Sequence, residues 1–153
     1  MFAFLIIIYY ARALGGKIQG MHIMSLLELG QVIFGPTEDL IAWLRTKGLL
    51  ARTQDCSSCN IPMRPGRRSD VTDRLVWRCH QCKTTKSIRE GSFFTKSRLS
   101  LQKWLILLFY WARQFPVKDA GKDAEVHKNT ACDVYRWLRS LLSLSPHVSR
   151  LGG

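Results

Sequence analysis

The amino-acid sequence predicts an α+β fold that is mostly helical, in which a small region of short β-hairpins is followed by a helical module. Three observations support this prediction. Four of the five cysteines form two Cys-x-x-Cys pairs, separated by a segment that contains turn-forming residues. Within that segment, Leu75–Arg78 has the composition of a short strand. The helical spacing of apolar residues is strongest after it, in Leu99–Phe115.

The chain is strongly basic. Its 153 residues include 23 lysines and arginines against 11 acidic residues, which gives a formal net charge of +12. This excess indicates a polyanionic partner such as nucleic acid, with an anionic membrane surface as the competing partner. Residues 56–115 hold 12 of the basic and three of the acidic residues, so the charge is concentrated around the cysteine pairs.

Residues 1–20 are interpreted as an apolar extension. The first ten, MFAFLIIIYY, are too few for a transmembrane helix, which needs roughly 20 apolar residues, so we expect no membrane partner. A signal peptide cleaved near Ala11-Arg12-Ala13 is one interpretation, although no basic residue precedes the apolar run. A buried strand or helix is the second, and a non-native upstream extension is the third. In the third case Met21 is a plausible natural start.

Residues 21–55 are predicted to form an N-terminal helical segment. Met21–Leu29 has helical spacing without a clear cap. A second helix is expected to begin at Thr37, which can cap its first turn and is followed by two acidic residues that favour the positive helix end. Gly48 is expected to end this helix.

Residues 56–98 are predicted to form a zinc ribbon, because so short a segment cannot be held together by apolar burial alone. Two residues between paired cysteines allow a tight turn to direct both thiolates at one ion, and the intervening chain is long enough for a hairpin. All four coordination positions are then taken by protein, so the zinc is structural and not catalytic. The predicted ligands of this one structural zinc ion are Cys56, Cys59, Cys79 and Cys82.

Other roles are open to individual side chains. A redox Cys-x-x-Cys is usually a single pair at the start of a helix, whereas this chain has two pairs among turn residues. His80 could replace a cysteine as a ligand, but its place inside the second pair favours an exposed loop residue. Cys132 is expected to be an ordinary small side chain on a helix. The odd cysteine count argues against a secreted disulfide framework and favours a reducing compartment.

Residues 99–145 are predicted to form a bridging helix and a helix-turn-helix, and residues 146–153 a tail. The bridging helix, Leu99–Phe115, is capped by Ser97 or Ser100 and is apolar on nearly every side, which indicates burial between neighbouring elements. A short helix over about residues 117–124 and a longer one over about residues 128–142 follow. They have the length pattern of a helix-turn-helix.

Two surfaces are expected to contact DNA. Cations around the cysteine pairs can neutralise phosphates with little sequence preference, although a solvated basic face is the alternative interpretation. In the last helix Val134 and Leu138 mark the core side, and the opposite side presents Asn and Arg groups that suit base edges in the major groove. The predicted DNA-binding residues are Arg64, Arg67, Arg68, Lys83, Lys86, Lys128, Asn129, Arg136 and Arg139. The other cations around the pairs are Arg74, Arg78, Arg89, Lys96 and Arg98.

In this order, the features resemble the N-terminal region of Merlin-type DNA transposases and their bacterial insertion-sequence relatives. The resemblance covers roughly residues 34–150. It depends on Trp77 ahead of the second cysteine pair, the segment Ser92-Phe93-Phe94, the Trp-rich helix and the run NTACDVYRWLR at residues 129–139. In that family a ribonuclease-H-like nuclease domain follows this region, and the region itself is expected to bind the terminal inverted repeats of the element.

The resemblance implies a transposase-derived fragment that recognises transposon terminal repeats in double-stranded DNA without cleaving them, because the nuclease domain would follow Gly153. A protein-interaction module, an inert remnant and an incomplete gene model of an active transposase are the alternatives. A full-length transposase or a second copy of the chain is a further expected partner. The expected compartment is the nucleus in a eukaryote, and otherwise the cytoplasm in association with the nucleoid.

Overall fold

A computed structural model describes residues 25–143 of the chain. This part contains five helices and one three-stranded antiparallel sheet, which confirms the predicted α+β class. The predicted extension at residues 1–20 and the predicted tail at residues 146–153 lie outside the described residues. The helices are α1 (Leu26–Phe34), α2 (Thr37–Thr46), α3 (Leu101–Ala112), α4 (Val117–Asp123) and α5 (Lys128–Ser143), and the strands are β1 (Arg64–Arg67), β2 (Leu75–Arg78) and β3 (Thr85–Ser87).

The described chain divides into two compact units. The first is Gly30–Leu101, which contains α2, the sheet and both cysteine pairs. The second contains residues 25–29 and 102–143, with α4, α5 and nearly all of α3. Among residues 25–143, no helix is both long enough and apolar enough to cross a membrane.

The first described helix, Leu26–Phe34, overlaps the end of the predicted helix Met21–Leu29 and continues beyond it, and residues 21–24 are outside the described part. Ser25 precedes α1, and its Oγ accepts a hydrogen bond of 3.1 Å from the backbone amide of Glu28. Leu29 is the buried residue of this helix. Other large apolar side chains of α1 are exposed.

Helix α2 follows Pro36, which occupies the N-cap position, and Thr37 is its first helical residue. The predicted capping by Thr37 is wrong, because no side-chain hydrogen bond caps this helix. The predicted end is confirmed. Gly48 has a φ of +71°, and its backbone amide donates a hydrogen bond of 3.1 Å to the carbonyl oxygen of Arg45. A left-handed residue at this position closes a helix, and glycine adopts it without steric cost.

The sheet has the strand order β1-β2-β3, with both neighbouring pairs antiparallel. The predicted strand Leu75–Arg78 is confirmed as the central strand β2. Its Trp77 is buried, and the guanidinium carbon of Arg45 lies 4.7 Å from the centroid of the Trp77 ring. Because Arg45 belongs to α2, this helix packs against the face of the sheet that carries Trp77.

A buried ion pair ties the segment after β3 to the connection between β1 and β2. Arg89 is 5% exposed and Asp73 is 8% exposed. The guanidinium donates two hydrogen bonds of 2.6 Å to the Asp73 carboxylate, and bonds of 3.0 and 2.7 Å to the carbonyl oxygens of Ser97 and Leu99. The prediction that Arg89 belongs to the basic surface is therefore wrong, because its guanidinium is engaged inside the protein.

Helix α3 is shorter than the predicted Leu99–Phe115. It begins directly after Ser100 and ends at Ala112. Gln114 has a φ of +61°, and the amide of Phe115 donates a hydrogen bond of 2.9 Å to the carbonyl oxygen of Tyr110, which closes the helix before the predicted end. Burial on most sides of α3 is confirmed for Leu101, Trp104, Leu105, Leu107, Leu108, Phe109 and Trp111. The bridging role of this helix stays a prediction.

In the second unit α3 contacts α5 and the turn that joins α4 to α5. The rings of Trp104 in α3 and Trp137 in α5 meet edge to face, with centroids 5.6 Å apart. The ammonium of Lys103 donates a hydrogen bond of 2.9 Å to the carbonyl oxygen of Glu125, in the turn that joins α4 to α5. These contacts make α3, α4 and α5 one three-helix unit.

Helices α4 and α5 correspond to the two predicted helices over residues 117–124 and 128–142. They approach closely at Gly121 and Ala131, both of which are buried. A Cβ added to Gly121 would lie 3.3 Å from the Cβ of Ala131, tighter than most carbon contacts. Small residues at this crossing therefore set the short separation between the two helices.

Candidate metal centre and nucleic-acid interface

The two cysteine pairs have the same backbone conformation. The amide of Cys56 donates a hydrogen bond of 3.0 Å to the carbonyl oxygen of Ile61, and the amide of Cys79 donates one of 2.9 Å to the carbonyl oxygen of Thr84. Both bonds span five residues. The residue after each pair, Asn60 or Lys83, has a positive φ, of 52° and 64° respectively. Each pair therefore sits in a tight turn of equivalent geometry.

The two turns direct all four thiols to one place. The Sγ atoms of the four cysteines lie within 4.8 Å of one another, and those of Cys56 and Cys82 are 3.5 Å apart. Four sulfurs at about 2.3 Å from a zinc ion in tetrahedral geometry would be about 3.8 Å apart. The observed cluster fits a metal ion that prefers four thiolate ligands, and it could hold one such ion.

The four thiols differ in exposure and in acidity. Cys56 and Cys79 are buried, Cys59 is half-buried and Cys82 is exposed. Hydrogen bonding with Thr84 lowers the pKa of the Cys82 thiol to about 6. The hydrogen bond with Cys82 raises the pKa of the neighbouring Cys59 thiol to about 12. Without a metal ion, the cluster thus favours the thiolate form of Cys82 and disfavours that of Cys59. A bound divalent cation would favour the thiolate form of both.

Within residues 25–143, the four cysteines are the one group of three or more His, Cys, Asp or Glu side chains close enough to hold a metal ion. His80 is exposed and lies outside this group, as expected for a loop residue. Cys132 is half-buried on α5 and is also outside the group. The metal-binding chemistry of the described chain is therefore concentrated in the two turns.

Four of the five predicted DNA-binding cations near the cysteine pairs already have partners within the protein. Arg67 lies 3.0 Å from the carboxylate of Glu38. The guanidinium of Arg68 donates bonds of 2.8 and 2.9 Å to the two carboxylate oxygens of Asp70. The ammonium groups of the two lysines donate to backbone carbonyl oxygens, at 2.6 Å from Lys83 and 3.0 Å from Lys86. These four side chains are partly neutralised or held in place.

Arg64 differs from this group because it is exposed and its guanidinium makes no hydrogen bond or ion pair to any described residue. Sequence reasoning counted Arg78 among the cations around the cysteine pairs but not among the predicted DNA-binding residues, and the structure places it directly opposite Arg64 in the sheet. Strand pairing was the missing information, since the two residues are far apart in sequence and no local pattern relates them.

The outer face of α5 carries the residues predicted to read bases. Its inner side is buried through Ala131, Val134 and Leu138. Arg136 pairs with Asp133 one helical turn earlier, at 2.9 Å, and both side chains remain mostly exposed. The four predicted residues, Lys128, Asn129, Arg136 and Arg139, are all exposed on this helix.

The start of α5 is fixed by a residue that sequence reasoning did not select. The Nδ1 atom of His127 accepts a hydrogen bond of 3.3 Å from the backbone amide of Asn129. The carbonyl oxygen of His127 accepts the bond from Ala131 at 3.2 Å. His127 thus acts as the N-cap of α5, in place of the usual Ser, Thr, Asp or Asn.

No protein family, curated protein or solved structure matches the chain. Conclusions about function therefore depend on the residues of this chain and on their geometry.

Proposed function

We propose that the chain is a zinc-stabilised DNA-binding protein derived from a transposase of the Merlin type, which recognises terminal repeats in duplex DNA and does not cleave them. In this proposal residues 56–98 form a zinc ribbon, and α4 and α5 form a helix-turn-helix. The resemblance in sequence supports transposon terminal repeats as the bound DNA. The structural features below support the DNA-binding activity.

The zinc ribbon is supported by the convergence of two equivalent turns on one cluster of thiols. The three strands between and after these turns are only three or four residues long. A structural zinc ion contributes about 10–16 kcal/mol in small zinc modules, which is enough to order strands this short. Zinc therefore holds the sheet and its surface cations in one arrangement.

The observation that carries the proposal is the exposed outer face of α5. In a helix-turn-helix the second helix enters the major groove, and its outward side chains contact base edges. Asn129, Arg136 and Arg139 occupy that face, and Asn and Arg are the side chains that recognise adenine and guanine by paired hydrogen bonds. The small residues at the crossing of α4 and α5 keep this helix close to its support.

The experiment is a selection of bound duplexes from a random pool, followed by fluorescence anisotropy titrations on a selected duplex and on a random-sequence duplex. Arg136→Ala is expected to weaken binding to the selected duplex by about 1–3 kcal/mol, the range for loss of a bidentate base contact, with little effect on the random one.

Arg136→Lys is the matched control, because it keeps the charge and removes the forked donor group. It should retain random-duplex affinity and still lose preference for the selected sequence. Equal loss on both duplexes would assign Arg136 to phosphate binding instead. No binding to any duplex at low salt would reject the proposed function.

A protein-interaction module is the second candidate function, and the exposed apolar residues of α1 favour it. Leu26 is 70% exposed, Leu27 is 73% exposed and Phe34 is 90% exposed. A second copy of the chain is the partner to test first, by sedimentation velocity of the protein and of a triple serine variant at these positions. Self-association that the variant abolishes, together with absence of DNA binding, would favour this candidate.

A further inference from the structure

We propose that Arg64 and Arg78 act together as the main phosphate-binding pair of the sheet and bind the sugar-phosphate backbone of duplex DNA. This inference rests on the proposed function and adds to it. It assigns backbone binding to a pair that includes Arg78, and it gives a secondary role to Arg67 and Arg68.

The pair is created by the register of the sheet. Arg64 in β1 pairs with Arg78 in β2, and Arg78 pairs with Thr85 in β3. Residues directly opposite each other in an antiparallel ladder place their side chains on the same face, with Cβ atoms about 4.5–5.5 Å apart. The two guanidinium groups therefore originate next to each other, on the face opposite to the one that carries Trp77.

Among residues 25–143, nothing occupies the guanidinium groups of the two arginines, so they can bind an external anion. They are exposed, and neither guanidinium group makes an ion pair or hydrogen bond to any residue in the described chain. Arg67, by contrast, is paired with Glu38, and Arg68 is paired with Asp70. Like charges directly opposite each other destabilise a sheet, so this pair does not stabilise the described fold. A bound phosphate would offset the repulsion between the two guanidinium groups.

The glycine next to this pair gives Arg78 room to lie across β1. A Cβ built on Gly66 would be 3.6 Å from the Cβ of Arg78 and 3.8 Å from its Cδ. The aliphatic stem of Arg78 thus already runs over Gly66, in ordinary van der Waals contact with the position that a side chain would occupy. A branched side chain there would force the stem of Arg78 away.

The test compares two double variants that remove the same charge from neighbouring positions, each in the full chain loaded with zinc. One is Arg64→Gln with Arg78→Gln, and the control is Arg67→Gln with Arg68→Gln. Anisotropy titrations against a random-sequence duplex at several salt concentrations give the slope of log K against log salt concentration. Removing a phosphate contact lowers this slope by about 1 per residue.

The first variant is expected to lower the slope by about 2 and to weaken binding equally on random and selected duplexes, since phosphate contacts carry no sequence information. The control is expected to lower it by less than half as much. The first variant should also unfold at the same temperature as the parent protein or a higher one, because repulsion between the two arginines is lost.

Equal slopes in the two double variants would overturn the inference and leave the proposed function standing. A parent protein without salt-dependent affinity for any duplex would reject the proposed function, and the inference with it. Gly66→Val provides an independent measurement: it should reproduce the loss caused by Arg78→Gln, and an unchanged slope in a folded Gly66→Val protein would also contradict the assignment.

Discussion

At the scale of single residues, burial separates the structural arginines from the available ones. Arg89 bonds to both oxygens of the Asp73 carboxylate and to two backbone carbonyl oxygens, and both partners are buried. Arg68 makes an equally direct ion pair with Asp70, but both side chains are largely exposed. Exposed pairs contribute little to stability because water and salt screen them, whereas removal of one partner from a buried pair leaves an uncompensated charge.

We therefore expect Arg89→Met to lower the free energy of unfolding by about 3–5 kcal/mol. Asp73→Leu should have a similar effect. The double variant should recover most of the loss, because it leaves no unpaired charge behind. Urea unfolding of zinc-loaded protein, followed by circular dichroism, measures all three values.

Arg68→Met is the matched control, since it removes the same group from an exposed pair, and only a small change in stability is expected. Equal effects of Arg89→Met and Arg68→Met would contradict the structural role of Arg89.

The candidate site shows which residue assignments a sequence can support. The spacing of Cys56, Cys59, Cys79 and Cys82 restricts them to two turns, so their convergence was predictable. The burial of Arg89 was not predictable, because its partner Asp73 is 16 residues away. The sequence of a basic segment does not show which of its arginines is buried. The opposition of Arg64 and Arg78 depends on strand register, which short strands without strong alternation leave open.

At the scale of elements, three helices end in the same way. In α2, α3 and α4 the residue with positive φ is Gly48, Gln114 or Glu125, respectively. In each case its amide bonds to the carbonyl three residues earlier, and the next amide bonds to the carbonyl five residues before it. Only the end of α2 is marked by a glycine in the sequence, and its position was predicted. The predicted end of α3 was too late.

The cap of α2 was also predicted incorrectly, although its first helical residue, Thr37, was not. Pro36 occupies the N-cap with a φ of −57° and a ψ of 145°, and it has no side-chain oxygen to accept a capping hydrogen bond. By contrast, β2 was predicted with its correct bounds because apolar and aromatic residues stand between turn residues. The bounds of β2 and the end of α2 at Gly48 are marked by residue types in the sequence, whereas the cap of α2 at Pro36 and the end of α3 at Gln114 are set by backbone conformation that no residue type announces.

We expect Gly48→Ala to destabilise the protein by about 1–2 kcal/mol, the cost of the left-handed conformation for a residue with a Cβ. The same substitution at Gly30 is the control. Gly30 lies inside α1, and a Cβ there would meet nothing within 4 Å, so Gly30→Ala should stabilise by about 0.5–1 kcal/mol. Thermal unfolding measures both changes. Shifts of the same sign would mean that the end of α2 is not the left-handed turn described above.

At the scale of the whole molecule, metal binding is expected to decide whether the sheet exists. Removal of zinc by a chelator should abolish the protection of amides in residues 56–97 against hydrogen exchange, because strands of three or four residues depend on the ion even with α2 packed against the sheet. Hydrogen exchange with mass spectrometry, before and after chelation, is the measurement. A sheet that keeps its protection after complete metal removal would contradict the zinc ribbon.

The zinc content of two cysteine variants tests the composition of the centre independently. Cys59→Ser removes one thiol of the cluster and should lower the bound zinc well below one ion per chain at equal free zinc. Cys132→Ser removes a thiol that lies outside the cluster and should leave the zinc content at one. Elemental analysis of reduced protein measures both. The same zinc content in the two variants would show that Cys59 is not a ligand.

The formal charge of +12 belongs to the molecule as a whole and should appear as a steep salt dependence. A protein that contacts about 6–10 phosphates loses about 10³–10⁵ in affinity between 50 and 200 mM salt. Titrations on a random-sequence duplex at these two concentrations measure the loss. An affinity that does not change with salt would indicate that the cations of this chain are a solvated face with no part in DNA binding.

The unequal exposure of the four thiols has a kinetic consequence. Cys56 and Cys79 are buried, whereas Cys82 is exposed, and a metal–sulfur bond breaks most readily where water or a competing molecule can reach the sulfur. Exchange of the ion should therefore begin at Cys82, through an intermediate still attached to the other three sulfurs. The rate of transfer to an external acceptor would then depend on the acceptor's concentration, so the lifetime of the folded sheet in a cell would be set by its surroundings as much as by its intrinsic affinity for the ion.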